Sequence, residues 1–176
     1  MSRSVAERAR RIATFRFVEV RLMETAAAWT PTTPEMEAKV LLGRHIWDFA
    51  QHADALGKRT FELRHPAQHS LRPAEAYVQL LDEVREVADT AERLAALYDV
   101  IVPGLGRRYA AYVNEVDPII DAPSIVVIER ILGDLERQRA EADALRRDLG
   151  LKRAASLPLR EKEGAVDEIL APAATP

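Results

Sequence analysis

Cysteine is absent from the 176-residue chain. Disulfides, thiolate metal sites, iron–sulfur clusters and cysteine nucleophiles are therefore excluded. Aromatic residues make up only 6% and there are seven glycines. None of the glycines builds a phosphate loop: Gly104-Leu105-Gly106 follows Pro103 and reads as a helix break. A Gly-x-Ser-x-Gly nucleophile elbow is also missing. Neither charge sign dominates, with 25 Lys+Arg against 28 Asp+Glu and a net charge of -3. That balance argues against a general nucleic-acid binder, which needs a basic excess. No apolar run is long enough to span a membrane. The start, Met1 to Arg11, is basic but lacks the apolar core of a signal peptide. The expected compartment is the cytoplasm.

What remains favours helix. Hydrophobic residues make up 48% and charged residues 30%, an ordinary soluble composition with Ala, Leu, Arg and Glu abundant. The length suits one domain with its own core. The helical period runs through most of the chain, and strand-like alternation is nearly absent. The spacing predicts a first helix from Val5 to about Ala28, stopped by the prolines at 31 and 34. Thr33 reads as the N-cap of a second helix that opens on Pro34 and runs to about Leu56, with room to continue to Leu63. A third is predicted from Pro73 to about Val102, a break at Pro103, and a resumption through Tyr109 to Val116. A fourth is predicted from about Pro123 to Leu149, with Gly150 as its C-cap. The predicted fold class is all-α: a four-helix bundle over residues 5–149, followed by a tail over 150–176. The tail is expected to lie mostly outside the core, with a short helix near Glu161 to Leu170 and disorder over 171–176.

Polar residues that interrupt the apolar stripes mark the candidate site. In the second helix the stripe is Leu41, Leu42, Phe49 and Leu56, and His45, Asp48 and His52 fall within it. Intervals of three and four place these side chains on one face. An imidazole and a carboxylate so spaced can grip one metal ion from adjacent turns, or satisfy each other as a buried triad. In the first helix Glu19 shares a face with Ile12, Phe15, Val18 and Leu22, while Glu24 shares another with Phe17, Val20 and Ala27. Period alone does not choose between the two glutamates. In the fourth helix Glu129 lies on the stripe Ile125, Ile128 and Leu132. The third helix has a clean apolar stripe with no carboxylate, and Tyr77 and Tyr98 are its inward polar groups.

With its long helices, early acidic helix, His45-Ile46-Trp47-Asp48 segment and Glu129, the chain resembles the ferritin-like superfamily. The segment from Thr30 through Arg64 also looks like uncharacterised bacterial ferritin-like proteins. Di-iron members of that superfamily use a Glu from each of two helices and a Glu-x-x-His pair from each of the other two. The resemblance implies metal ligands at Glu19 or Glu24, His45, Asp48, His52 and Glu129, with iron or manganese as the metal. The set departs from the pattern, because the second helix has no Glu-x-x-His and Leu132 stands where the fourth helix would carry His.

Two function classes follow. One is a ferritin-like enzyme, an oxidoreductase or tailoring enzyme acting on a small apolar substrate. Its His45, Asp48 and His52 would work through a degenerate metal site or, with no cofactor, as an acid–base cluster. Tyr98 and Phe49 would line its substrate pocket. The other is a non-catalytic bundle that binds a protein or ligand and uses the His/Asp cluster to fix helix register. The expected partners are a small molecule and a second copy of the chain, with neither nucleic acid nor membrane.

Overall fold

The computed structural model describes residues 4–171 apart from 153 and 155. Among the described residues the fold is all-α; the sole β-type pairing is an isolated bridge between Pro73 and Leu170. No helix is long and apolar enough to cross a membrane among these residues.

The first helix, α1, spans Val5–Trp29. Its start is held by a reciprocal cap: the Glu7 N–H donates to Ser4 Oγ at 3.2 Å, and the Ser4 N–H donates to Glu7 Oε2 at 2.7 Å. The turn Thr30–Thr32 ends it, and Thr33 Oγ1 donates to the Trp29 carbonyl at 2.9 Å. Thr33 is thus spent on closing α1 and does not cap the next helix. That helix, α2 (Met36–Glu62), begins two residues later than expected, with Glu35 at its N-cap position. It packs along α1 and brings Leu41, Phe49 and Leu56 into one core with Ile12, Phe15, Val18 and Leu22.

The stretch expected as one third helix is divided. Helix α3 (Glu75–Arg85) stops, and α4 (Thr90–Ala95) restarts where the Asp89 carboxylate accepts from the Glu92 N–H at 3.0 Å. The expected break at Pro103 does not occur. The chain widens instead into a π-helical turn over Ala96–Ile101 and runs straight into α5 (Val102–Glu115). The Val102 N–H reaches back to the Leu97 carbonyl, so the register shifts just before Pro103, whose ring cannot tolerate α-geometry in a helix interior.

Helix α6 (Ala122–Asp148) packs on both α2 and α5. Its N-terminal end is anchored by buried Asp121, which accepts from Arg59 at 3.0 Å, Arg8 at 3.2 Å and Ser124 at 2.7 Å, and also from Tyr112. Gly150 closes α6 with φ +61°, and the Leu151 N–H donates to the Arg146 carbonyl, completing the expected glycine cap.

The segment after Gly150 carries α7 (Leu157–Gly164). It packs on α3 and on the π-helical turn, and it buries Glu163 and Ile169. Glu163 accepts from Arg107 and Arg108 and lies against Gly104, where any Cβ would collide with its carboxylate. Part of the tail read from the sequence as peripheral is therefore built into the core. Of the end expected to be disordered, residues 172–176 lie outside the described residues.

Candidate functional site

The middle of α2 presents two fully engaged imidazoles. His45 and His52 are seven residues apart, two helical turns, and both are buried. Their partners come from three other helical segments, which is why no single stripe in the sequence reveals the arrangement.

His52 lies between two carboxylates. Its Nδ1 is 3.1 Å from Glu19 Oε2 on α1, and its Nε2 is 3.2 Å from Asp134 Oδ2 on α6. Glu19 is itself fully buried, and its other oxygen accepts from the Tyr109 hydroxyl at 2.6 Å. Phe49 packs edge-on against the His52 ring at 6.3 Å between centroids. Burial alone would lower the His52 pKa, but the charges and hydrogen bonds of Glu19 and Asp134 outweigh it and the pKa is raised. The protonated ring donates to both neighbours.

His45 takes the opposite state. Its Nδ1 is 2.6 Å from the Tyr98 hydroxyl and its Nε2 is 2.9 Å from Glu141 Oε2. Burial dominates and its pKa is lowered, against the pull of Glu141. A neutral ring with Nε2–H donating to Glu141 leaves Nδ1 to accept from Tyr98. Tyr98 sits in the π-helical turn, which aims its hydroxyl at α2. Burial raises the Tyr98 pKa, so the hydroxyl stays a donor.

Arg137 ties the two pairs together. It donates to Asp48 and Asp134, each at 2.9 Å, and to Glu141 at 3.3 Å. Burial opposes the charge on Asp134 and Glu141, yet Arg137 and the two histidines hold both carboxyls below their ordinary values. Asp48 stands at the rim, where Gln138 Nε2 also donates to it at 3.2 Å.

The residues singled out from the sequence are dispersed as follows. His45 and His52 point inward but serve different carboxylates, and Asp48 hydrogen-bonds to Arg137 and Gln138 rather than to either ring. Of the two candidate glutamates, Glu19 reaches the core and Glu24 pairs with Arg21 at its edge. Glu129 is exposed and joins no part of the cluster. Phe49 and Tyr98 are sealed in the core rather than lining a cavity. Tyr109, Asp134 and Glu141 were not anticipated. The available signal was the seven-residue spacing of Asp134 and Glu141, which matches that of His45 and His52.

The donors do not fit a shared metal ion. Glu19 and Asp134 lie on opposite nitrogens of His52, so the ring stands where an ion bridging them would sit. Among the described residues, no group of three or more His, Asp or Glu side chains is arranged to hold one.

Two cavities open along the α2–α6 seam. The larger, ≈ 400 Å³, is walled by Val40, Leu41 and Leu145 and meets Glu141, but neither His45 nor Tyr98 lines it. The smaller, ≈ 250 Å³, has His52 and Asp134 in its lining beside Ala55, Val127 and Ile131. Of the two, the smaller is the one whose lining includes a histidine, His52. Against family models, curated proteins and solved structures, the chain finds no match in any of the three comparisons.

Proposed function

We propose that this chain is a ferritin-like four-helix bundle enzyme whose core carries a metal-independent imidazole–carboxylate site for proton transfer on a small substrate. The four rods are α1, α2, the continuous α4–α5 segment and α6. The observation that carries the reading is His52, held between buried Glu19 and cavity-lining Asp134.

Glu19 accepts the Nδ1–H of His52 and so orients the ring, while Tyr109 fixes the other oxygen of Glu19. Nε2 then faces the cavity side, where a substrate atom can take the place of Asp134 as its partner. The protonated ring gives its Nε2 proton to a basic substrate atom as general acid; the neutral ring takes a proton back as general base. A raised pKa keeps the acid form populated nearer neutral pH than an ordinary histidine would. Positioned proton transfer of this kind contributes about 10²–10⁴ in rate.

The second reading is a non-catalytic bundle in which the cluster fixes helix register. It is favoured by the completeness of the hydrogen bonding, since all four ring nitrogens are already engaged.

The first test is metal content. Untagged protein is purified from iron- and manganese-supplemented medium beside a His45→Ala/His52→Ala variant. The acid–base reading expects no stoichiometric metal in either. Metal held by the wild type and lost in the variant would overturn it. The second test separates enzyme from scaffold by screening small molecules for thermal stabilisation of the wild type and His52→Gln. Ligands that stabilise only the wild type support a site, whereas a lowered melting point with no discriminating ligand supports the scaffold.

A further inference from the structure

The cavity beside His52 carries more information than the histidine in its lining. Its charged lining is almost entirely self-neutralised. Lys58 pairs with Asp54 at 2.6 Å, and Asp134 is engaged by both His52 and Arg137. Arg130 is different. It lines the cavity and has no ion pair or side-chain hydrogen bond among the described residues. A guanidinium presents a planar fork of donors that matches an oxyanion. Beside these charged groups the lining includes the apolar side chains of Ala55, Val127 and Ile131.

We infer that the cavity takes a small aliphatic carboxylate, its carboxylate on Arg130, its apolar body on Ala55, Val127 and Ile131, and its reacting atom beside His52. This rests on the acid–base reading of His52. Arg130, which is exposed, and Asp134 are four residues apart on α6, a backbone rise of about 6 Å, and the arginine side chain adds reach, so a short chain can span from the guanidinium to His52. A volume of ≈ 250 Å³ packed at protein density holds on the order of ten non-hydrogen atoms. A chain of five to eight carbons meets both limits. An amine is disfavoured, because Arg130 repels it and Asp134 already has two cationic partners.

The experiment is an NMR titration of the full chain with hexanoate, hexanamide and hexylamine, following the His52 ring resonances in wild type, Arg130→Gln and His52→Gln. Hexanoate is expected to bind, to shift the His52 signals, and to weaken about tenfold in Arg130→Gln. The amide and the amine are expected to bind at least tenfold more weakly than hexanoate. Equal binding of the amide or amine, or unchanged hexanoate affinity in Arg130→Gln, overturns the carboxylate assignment; a His52 shift in that case leaves the acid–base reading standing. Hexanoate binding that needs Arg130 but neither moves the His52 signals nor changes in His52→Gln overturns the placement and the acid–base reading with it. No binding by any of the three probes overturns the assignment.

Discussion

Glu19 Oε2 and His52 Nδ1 meet at 3.1 Å between α1 and α2, with both side chains almost wholly withdrawn from solvent. A buried carboxylate beside a buried imidazolium is stable only as a pair. Removing one partner strands the other, at about 3–5 kcal/mol, whereas removing both is often close to neutral. Glu19→Ala is therefore expected to lower the unfolding free energy by about 3–5 kcal/mol in urea titrations. Glu19→Leu/His52→Leu should recover part of that loss, the remainder being the cost of the Tyr109 hydroxyl left without its acceptor. Additive losses in the double variant would show that the two residues do not act as a pair.

The two histidines should titrate on opposite sides of 6.5, the ordinary value: His52 above it and His45 below. For His52 the folded pKa exceeds the unfolded one, so its stabilisation is complete below pH 6.5 and is lost as pH rises through the folded value. For His45 the folded pKa is depressed. Stability is lost as pH falls from 6.5 to the folded value, because only the unfolded chain takes up the proton in that window. Ring C2–H chemical shifts followed against pH check both. A His45 that titrates above His52 would reverse the assignment of charged and neutral rings.

Asp89→Ala should cost about 1 kcal/mol, the usual value of an N-cap. The Asp89 carboxylate accepts from the Glu92 N–H and starts the helix that leads through the π-helical turn to Tyr98. Chemical denaturation measures the loss. An unchanged midpoint would mean that packing alone restarts the chain there.

That cap also shows what the sequence could and could not reveal. Proline and glycine punctuation marked the end of α1 and the Gly150 cap, and apolar spacing placed His45 and His52 inside. Between α3 and α4 the helical period continues in the sequence with neither proline nor glycine, so the break at Asp89 was hidden in a continuous pattern. The π-helical turn had the reverse effect. It shifts the hydrogen-bond register and lets the helix pass Pro103 without a break. Asp134 and Glu141 stand on the edge of the buried stripe of α6. Their partners are set by how α6 slides against α2, and intra-helix spacing carries no measure of that. The choice between Glu19 and Glu24 is likewise made by the register of α1 on α2.

Gly104→Ala tests how the C-terminal segment is held. The Glu163 carboxylate occupies the space a Cβ would need, and its partners Arg107 and Arg108 lie one turn further along the same helix. The new methyl group should displace Glu163 and loosen α7, and limited proteolysis should then cleave after Lys162 faster than in the wild type. A cleavage rate equal to the wild type would show that Ile169 and the bridge to Pro73 hold the segment without Glu163.

Asp134→Asn separates charge from packing at the site. The side chain keeps its shape but loses its charge, and at 28% exposure it is partly solvated, so the stability change should stay within about 1 kcal/mol. The effect on His52 should be larger in kind. One of the two carboxylates holding the proton is gone, burial gains weight, and the His52 pKa should fall towards or below 6.5. Glu19 still fixes Nδ1, so the ring keeps its orientation, and any proton transfer at the cavity should shift its pH profile to lower pH without losing its substrate. NMR titration reads the pKa and denaturation reads the stability. A large loss of stability with an unmoved His52 pKa would make Asp134 a packing residue and leave Glu19 as the sole carboxylate holding the His52 charge.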